Sequence, residues 1–110
     1  MTLNVIVDFE RRTEVIKLFS LYVGPVLVKQ GCMGARLYAD CSDAGDYMIF
    51  ERWQSAKHLQ KHIRSRDYQR ILDIIDLAKE PPEIKFHSVP SVEGFELVQG
   101  ARKNIAYGGL

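Results

Sequence analysis

The chain has 110 residues, of which 46% are hydrophobic and 26% charged, and its net charge is +1. That length predicts one domain with a real but modest core, and the near-neutral balance without a basic block argues against nucleic acid or an anionic membrane as partner. No stretch approaches the ~20 apolar residues of a membrane span, and the N-terminal apolar run is short and broken by Asp8, so the expected location is the cytoplasm.

Residues 3–9 are rich in β-formers and predict a strand. Alternation puts Leu3, Val5, Val7 and Phe9 on one face and Asn4, Ile6 and Asp8 on the other. Thr13 is a cap candidate for a helix that carries Val15, Leu18, Phe19, Tyr22 and Val26 at helical spacing. Gly24-Pro25 inside that run predicts a kink or split, and Gly31 a C′ residue. Residues 32–40 form a second strand, with Met33, Ala35, Leu37 and Ala39 alternating against Gly34, Arg36, Tyr38 and Asp40. Cys32 and Cys41 then lie at opposite strand ends, roughly 30 Å apart, which excludes an intrachain disulfide. The segment 41–46 has turn chemistry, and residues 47–53 return as a hairpin partner that is apolar on both faces.

Ser55 is an N-cap candidate for a second helix that buries Leu59 and Ile63. Ser65 or Asp67 restarts it, and Tyr68, Ile71, Leu72, Ile75 and Ala78 continue the apolar stripe until Glu80-Pro81-Pro82. Residues 83–89 predict a fourth strand. An alternating arm from Val92 to Val98 and a mobile glycine-rich tail from Gly100 to Leu110 complete the chain. Residues 1–90 thus form the domain, and residues 91–110 an arm and tail.

The order β-α-β-β-α-β is that of the ferredoxin-like plait, an α+β fold with a four-stranded antiparallel sheet and both helices on one face. Two helices cannot cover both faces of such a sheet. A second copy of the chain is the simplest cover, so a homodimer packed sheet on sheet is expected.

The most informative stretch is residues 47–62. Glu51 and Trp53 share a strand face, and His58 and His62 share a helix face four residues apart. A carboxylate, an indole and an imidazole can therefore meet at one corner. Together with Pro25 and Leu27, Gly31-Cys32, Tyr38 and Asp40, Glu51-Arg52-Trp53-Gln54-Ser55, Leu59, His62 and Pro81-Pro82, this pattern resembles the antibiotic biosynthesis monooxygenase (ABM) family over residues 3–90. The resemblance implies a dimeric α+β barrel with one pocket per subunit. It also implies a cofactor-independent monooxygenase that oxidises a quinol or aromatic phenol with dioxygen, with no cofactor and no metal. A non-catalytic homodimer of the same fold that holds a small ligand is the alternative. Some members degrade haem, using an asparagine on the first strand, a tryptophan on the second helix and a histidine further along as iron ligand. Asn4 fits that pattern, but His62 stands at the tryptophan position and the iron-ligand position falls near Leu72.

Within this frame His62 is either a proton relay for a phenol or a structural histidine bonded to Glu51 or to backbone. Glu51 orients His62, or is a buried carboxylate paired with His62 or Arg36. Trp53 is a stacking wall or a core residue. Asn4, Tyr38, Asp40 and Tyr68 are the remaining substrate-binding candidates. His58 and His62 have the spacing of a metalloprotease pair, but Leu59 stands where that motif has its glutamate. An RNA-binding plait shares the topology, yet residues 47–53 lack the glycine of its recognition string and carry Glu51.

Overall fold

Residues 1–88 and 94–106 are described by a computed structural model. Strands β1 (Thr2–Ile6), β2 (Cys32–Ala39), β3 (Asp46–Trp53) and β4 (Glu83–Lys85) form one sheet in the order β2-β3-β1-β4. Every neighbouring pair is antiparallel. Helix α1 (Arg12–Leu27) joins β1 to β2, while α2 (Ala56–Ile63) and α3 (Gln69–Asp76) join β3 to β4. This is the expected ferredoxin-like α+β plait, with its second helix in two pieces.

One face of the sheet is the core. Leu3, Val5, Ile49 and Glu51 project from it against Val15, Tyr22 and Val26 of α1 and Ile71 and Ile74 of α3, all buried. The opposite face carries the other half of each strand. Tyr38, Met48, Asn4 and Glu83 stand in one cross-strand row, and Arg36, Phe50, Thr2 and Lys85 in the next. None of these is buried, so this face is open.

Several local expectations give way to tertiary context. β1 stops at Ile6; the Val7 amide still makes one in-register bond to the Gly45 carbonyl (2.9 Å), and after it the chain turns out of the sheet. Phe9 therefore opens a 3₁₀ turn, Phe9–Arg11, and is 69% exposed beneath the Arg12 guanidinium rather than in the core. That turn runs directly into α1, so Thr13 lies inside the helix and does not cap it. Pro25 does not split α1. It sits two residues from the helix end, where its missing N–H removes only one late hydrogen bond. In β2, an irregularity between Cys32 and Gly34 leaves Met33 exposed, out of phase with Ala35 and Leu37, and Ala39 is exposed where the strand ends.

In α2 the buried side chain is His62, with Leu59 and Ile63 half-buried beside it. A 3₁₀ turn, Arg66–Tyr68, then feeds α3, whose inner stripe is Tyr68, Ile71 and Ile74. Leu72 is 43% exposed, contrary to the expected stripe, because the buried face of α3 is centred on Ile71 and Ile74 and Leu72 lies about 100° round the helix from Ile71. α3 ends at Asp76, ahead of Pro81 and Pro82. β4 covers three residues rather than seven, and its predicted last residue, Val89, lies outside the described residues.

The predicted extended arm and mobile tail are instead helical over Phe95–Ala106, here α4. Alternation of Phe95 and Leu97 is too brief to impose a strand without a partner edge. Glu96, Leu97, Gln99, Ala101, Arg102 and Lys103 are all good helix formers. Residues 89–93, with Val92, and residues 107–110 lie outside the described residues.

Gly31 ends no helix directly, since the α1 cap is Val28. It occupies the third position of a turn closed by the Cys32 amide on the Lys29 carbonyl (3.1 Å), with φ of 86°. A Cβ there would lie 2.3 Å from His58 Cγ. Gly31→Ala is expected to destabilise the fold by more than about 1 kcal/mol, through the left-handed backbone and the clash together. Urea denaturation of the two proteins checks this. An unchanged midpoint would show that the corner adapts freely.

Candidate functional site

Alternation along β3 directs Glu51 into the core, and the hairpin register places it opposite Ala35. Its side chain is 1% exposed. A buried carboxylate needs donors, and it has them. Trp53, two residues on along the same face, donates its indole N–H to Oε1 at 2.9 Å. Tyr22, from the buried stripe of α1, donates its hydroxyl to Oε2 in a short hydrogen bond. Glu51 was expected to pair with His62 or Arg36. Arg36 lies opposite Phe50 on the open face and cannot reach it. His62 Nε2 is 3.7 Å from Oε1, too far for a hydrogen bond.

His62 instead reaches Glu51 through Tyr22, with Nε2 2.6 Å from the tyrosine oxygen. Its other nitrogen, Nδ1, is 3.0 Å from Lys29 Nζ. Trp53 stacks on the imidazole, with ring centroids 4.5 Å apart, and Tyr68 meets it edge-on at 5.5 Å. Burial and the nearby Lys29 ammonium push the imidazole pKa down to about 4, so the ring is neutral near pH ~7. Burial likewise raises the Glu51 carboxyl above its ordinary range, opposed by its bonds from Tyr22 and Trp53 and by the N-terminal and Lys29 cations. The Tyr22 phenol is raised by burial and then by Glu51, so it stays protonated.

The corner that holds these groups is built locally. The Ser55 side chain accepts the His58 amide (3.2 Å) and caps α2. The Gln54 amide bonds to the Gly31 carbonyl (2.7 Å), which ties the end of β3 to the loop carrying Lys29. His58 does not join His62. Its Nδ1 lies 2.6 Å from Ser55 Oγ, within the cap. Among the described residues no three His, Cys, Asp or Glu side chains converge as a metal site.

The remaining candidates gather elsewhere. Asn4, Tyr38 and Asp40 line one hollow of about 310 Å³ with Ala39, Asp46 and Met48. Asn4, Met48 and Tyr38 form one cross-strand row, whereas Glu51 is three positions from Met48 and so points to the opposite face. The sequence-predicted residues therefore divide into two sets. His62, Glu51, Trp53 and Tyr68 lie under the sheet, and Asn4, Tyr38 and Asp40 lie on it. Asp40 also has a structural task. Its Oδ1 accepts the Ser42 and Asp43 amides (2.8 and 2.9 Å) and the Ser42 hydroxyl (2.9 Å), which holds its carboxyl below the usual range.

Two members of the buried network escaped sequence reasoning. Tyr22 was visible only as part of an apolar stripe, although a hydroxyl on such a stripe signals a required partner. Lys29 carried no signal, because a loop lysine is ordinarily solvated. Leu72, where the resemblance to haem-degrading members puts the iron ligand, is 43% exposed.

The antibiotic biosynthesis monooxygenase family model matches residues 4–73. An uncharacterized protein of a Synechocystis strain is 23% identical over 91 residues, which are 82% of this chain and 62% of that relative's length. This chain thus spans under two thirds of that curated relative. A crystal structure of an antibiotic biosynthesis monooxygenase superposes with a TM-score of 0.70 at 18% identity, covering 81% of this chain and 96% of that one. A conserved protein from Methanosarcina mazei gives 0.69 at 20% identity, covering 74% and 82%. A conserved protein of unknown function from Bacteroides thetaiotaomicron gives 0.67 at 24%, covering 74% and 88%. At these identities the structural likeness carries the fold.

The neutral, buried His62 makes stability pH-dependent. Its folded-state pKa of about 4 lies below the ~6.5 of an unfolded chain, so below pH ~6.5 the unfolded state binds the extra proton. Stability from this group is complete above pH ~6.5 and is lost as pH falls toward ~4, by up to about 3 kcal/mol. Glu51, shifted upward, acts in the opposite sense. Denaturant unfolding at pH ~7 and ~4.5 should therefore show a smaller acid loss for His62→Gln than for the wild type. An equal loss in both would mean that the imidazole is already charged in the fold.

Proposed function

This chain belongs to the antibiotic biosynthesis monooxygenase family, and from that premise we propose that it binds a small aromatic phenol or quinol on the open sheet face and oxidises it with dioxygen, without an added cofactor. The observation that carries this reading is the convergence of Asn4, Tyr38 and Asp40 on one hollow. Its volume of about 310 Å³ is at the small end of ligand pockets, about 300–1,000 Å³. Tyr38 and Met48 give a planar ring an apolar wall, Asn4 gives its oxygen a hydrogen-bond partner, Asp40 holds the rim through its bonds to Ser42 and Asp43, and Asp46 supplies a carboxylate toward which the phenol proton can move. With a phenol that carries a hydrogen at its para carbon, one atom of dioxygen becomes a second ring carbonyl there. The other leaves as water with the phenol proton and the displaced ring hydrogen, and four electrons pass to dioxygen. A quinol already holds both oxygens, so it gives up two protons and two electrons to become the quinone, and dioxygen leaves as hydrogen peroxide.

His62 and Glu51, the expected catalytic pair, act in this reading on the shape of β3 rather than on substrate, since both lie under the sheet. Two copies pack through their open faces and close the hollow, consistent with the half-buried Ile6, Met48 and Phe50 there. A cytoplasmic setting suits these roles. No described helix is long and apolar enough to cross a membrane.

A second reading, in which the same ring is held without being oxidised, is favoured by a specific observation. At the hollow, Asp40 is held below the usual carboxylate range by three hydrogen bonds, and the imidazole beneath the sheet, 1% exposed with both nitrogens engaged, offers no base from the other side.

Oxygen uptake with a naphthol or a reduced naphthoquinol, beyond a protein-free control, separates the two. Catalysis predicts excess uptake that falls about tenfold in Tyr38→Ala, the loss of ~1.4 kcal/mol of transition-state contact. Binding in equilibrium dialysis without excess uptake would select the holding role. Neither uptake nor binding would overturn both.

A further inference from the structure

Four polar side chains form a single line under the sheet. Lys29 Nζ meets His62 Nδ1 at 3.0 Å, His62 Nε2 meets the Tyr22 oxygen at 2.6 Å, and Tyr22 meets Glu51 Oε2. Lys29 decides which way the hydrogens in this line point. An ammonium has three donors and no acceptor. All three have partners here: His62 Nδ1, Ser65 Oγ at 2.7 Å and Asp67 Oδ2 at 3.0 Å. Nδ1 must therefore be bare, which puts the ring proton on Nε2. Nε2–H then donates to the Tyr22 oxygen, and the tyrosine hydrogen is left for Glu51. Glu51 Oε1 is occupied by the Trp53 N–H, so the carboxylate acts only as acceptor and is ionised.

The reversed line is equally complete on one condition. With the proton on Glu51, the carboxyl donates to Tyr22, Tyr22 donates to Nε2, and Nδ1 carries a hydrogen that faces Lys29. That hydrogen needs an acceptor, and Lys29 supplies a lone pair only after giving up one proton.

We propose that Lys29, His62, Tyr22 and Glu51 form a one-proton wire, with Lys29 as its outer terminus and as the residue that sets the tautomer of His62. A proton passing from the ammonium to Nδ1 moves the ring proton to Tyr22 and the tyrosine hydrogen to Glu51. Lys29 loses one proton, Glu51 gains one, His62 and Tyr22 keep their charge, and no electron moves. The two ends differ in access. The Lys29 and Asp67 side chains are 24% and 41% exposed, whereas those of His62 and Glu51 are at most 1%. Around the line stand Asp67 on Lys29, Tyr68 at the imidazole edge, and the Met1 ammonium on the Glu51 carbonyl at 2.9 Å. This wire is independent of whether a phenol is oxidised on the other face of the sheet.

Nitrogen NMR of the full chain reads the His62 tautomer, and infrared difference spectra read a protonated carboxyl as a band lost in Glu51→Gln. The wild type at neutral pH should hold His62 as the Nε2–H tautomer, with no such band. Lys29→Gln removes the balancing cation and puts an amide oxygen where an Nδ1 hydrogen can donate, so the major tautomer should change to Nδ1–H and the carboxyl band should appear. Lys29→Arg keeps a donor that cannot be deprotonated, and should retain the wild-type signature. A wild-type His62 that is Nδ1–H or doubly protonated overturns the proposal, as does a folded Lys29→Gln with an unchanged tautomer. Because the wild-type spectrum decides by itself, a variant that fails to fold leaves the proposal testable.

Discussion

The carboxylate of Glu51 is the group around which the interior is arranged. Leaving such a charge buried and unpaired costs several kcal/mol, and removing one partner from a buried ionic pair typically costs about 3–5 kcal/mol. That penalty forces donors to arrive from separate elements. Trp53 comes from the same strand, and Tyr22 crosses from α1. His62 on α2 and Lys29 in the α1–β2 loop complete the set. No buried side-chain polar atom among the described residues lacks a partner. The network therefore acts as a registry device as well as a charge sink. If α1 rotated or α2 slipped by one residue, Tyr22 or His62 would leave its place and Glu51 would lose its support.

The same network explains how an imidazole can sit in a core without behaving as an exposed base. Trp53 covers its face, Tyr68 its edge, and both nitrogens are engaged. A neutral ring in this setting transmits polarity between Lys29 and Tyr22 rather than meeting solvent. The sheet then separates two environments. Beneath it lies a dry and fully paired polar line. On its open face, Asn4, Tyr38, Met48, Asp40 and Asp46 bound a hollow whose Asn4, Tyr38 and Asp40 are exposed. β3 links the two, since Met48 and Glu51 leave one strand in opposite directions.

Much of this was readable in the chain. The Ser55 cap needs only a hydroxyl before a helical run, and the shared face of Glu51 and Trp53 needs only the two-residue period of a strand. Both are local rules, and both hold. Phe9, Leu72 and the 92–98 arm failed for the opposite reason. Each followed a local pattern, and the outcome depended on something distant or on a competing geometry. Phe9 opens the turn that leads into α1, and α3 centres its buried face on Ile71 and Ile74, which leaves Leu72 to one side. At Phe95 and Leu97, helix propensity prevailed where the described residues provide no strand partner.

By itself the sequence determined the order of elements, the antiparallel plait and the corner where Glu51, Trp53 and His62 meet. These follow from periodicities and caps that act within a few residues. Only the tertiary structure decided that Tyr22 stands between His62 and Glu51, that Lys29 turns inward, and that Asn4, Tyr38 and Asp40 belong to the other face. Those relations depend on how α1 docks on the sheet and on which strands neighbour one another. Docking and strand order are set by burial summed over the whole fold, and no short stretch of sequence carries that sum.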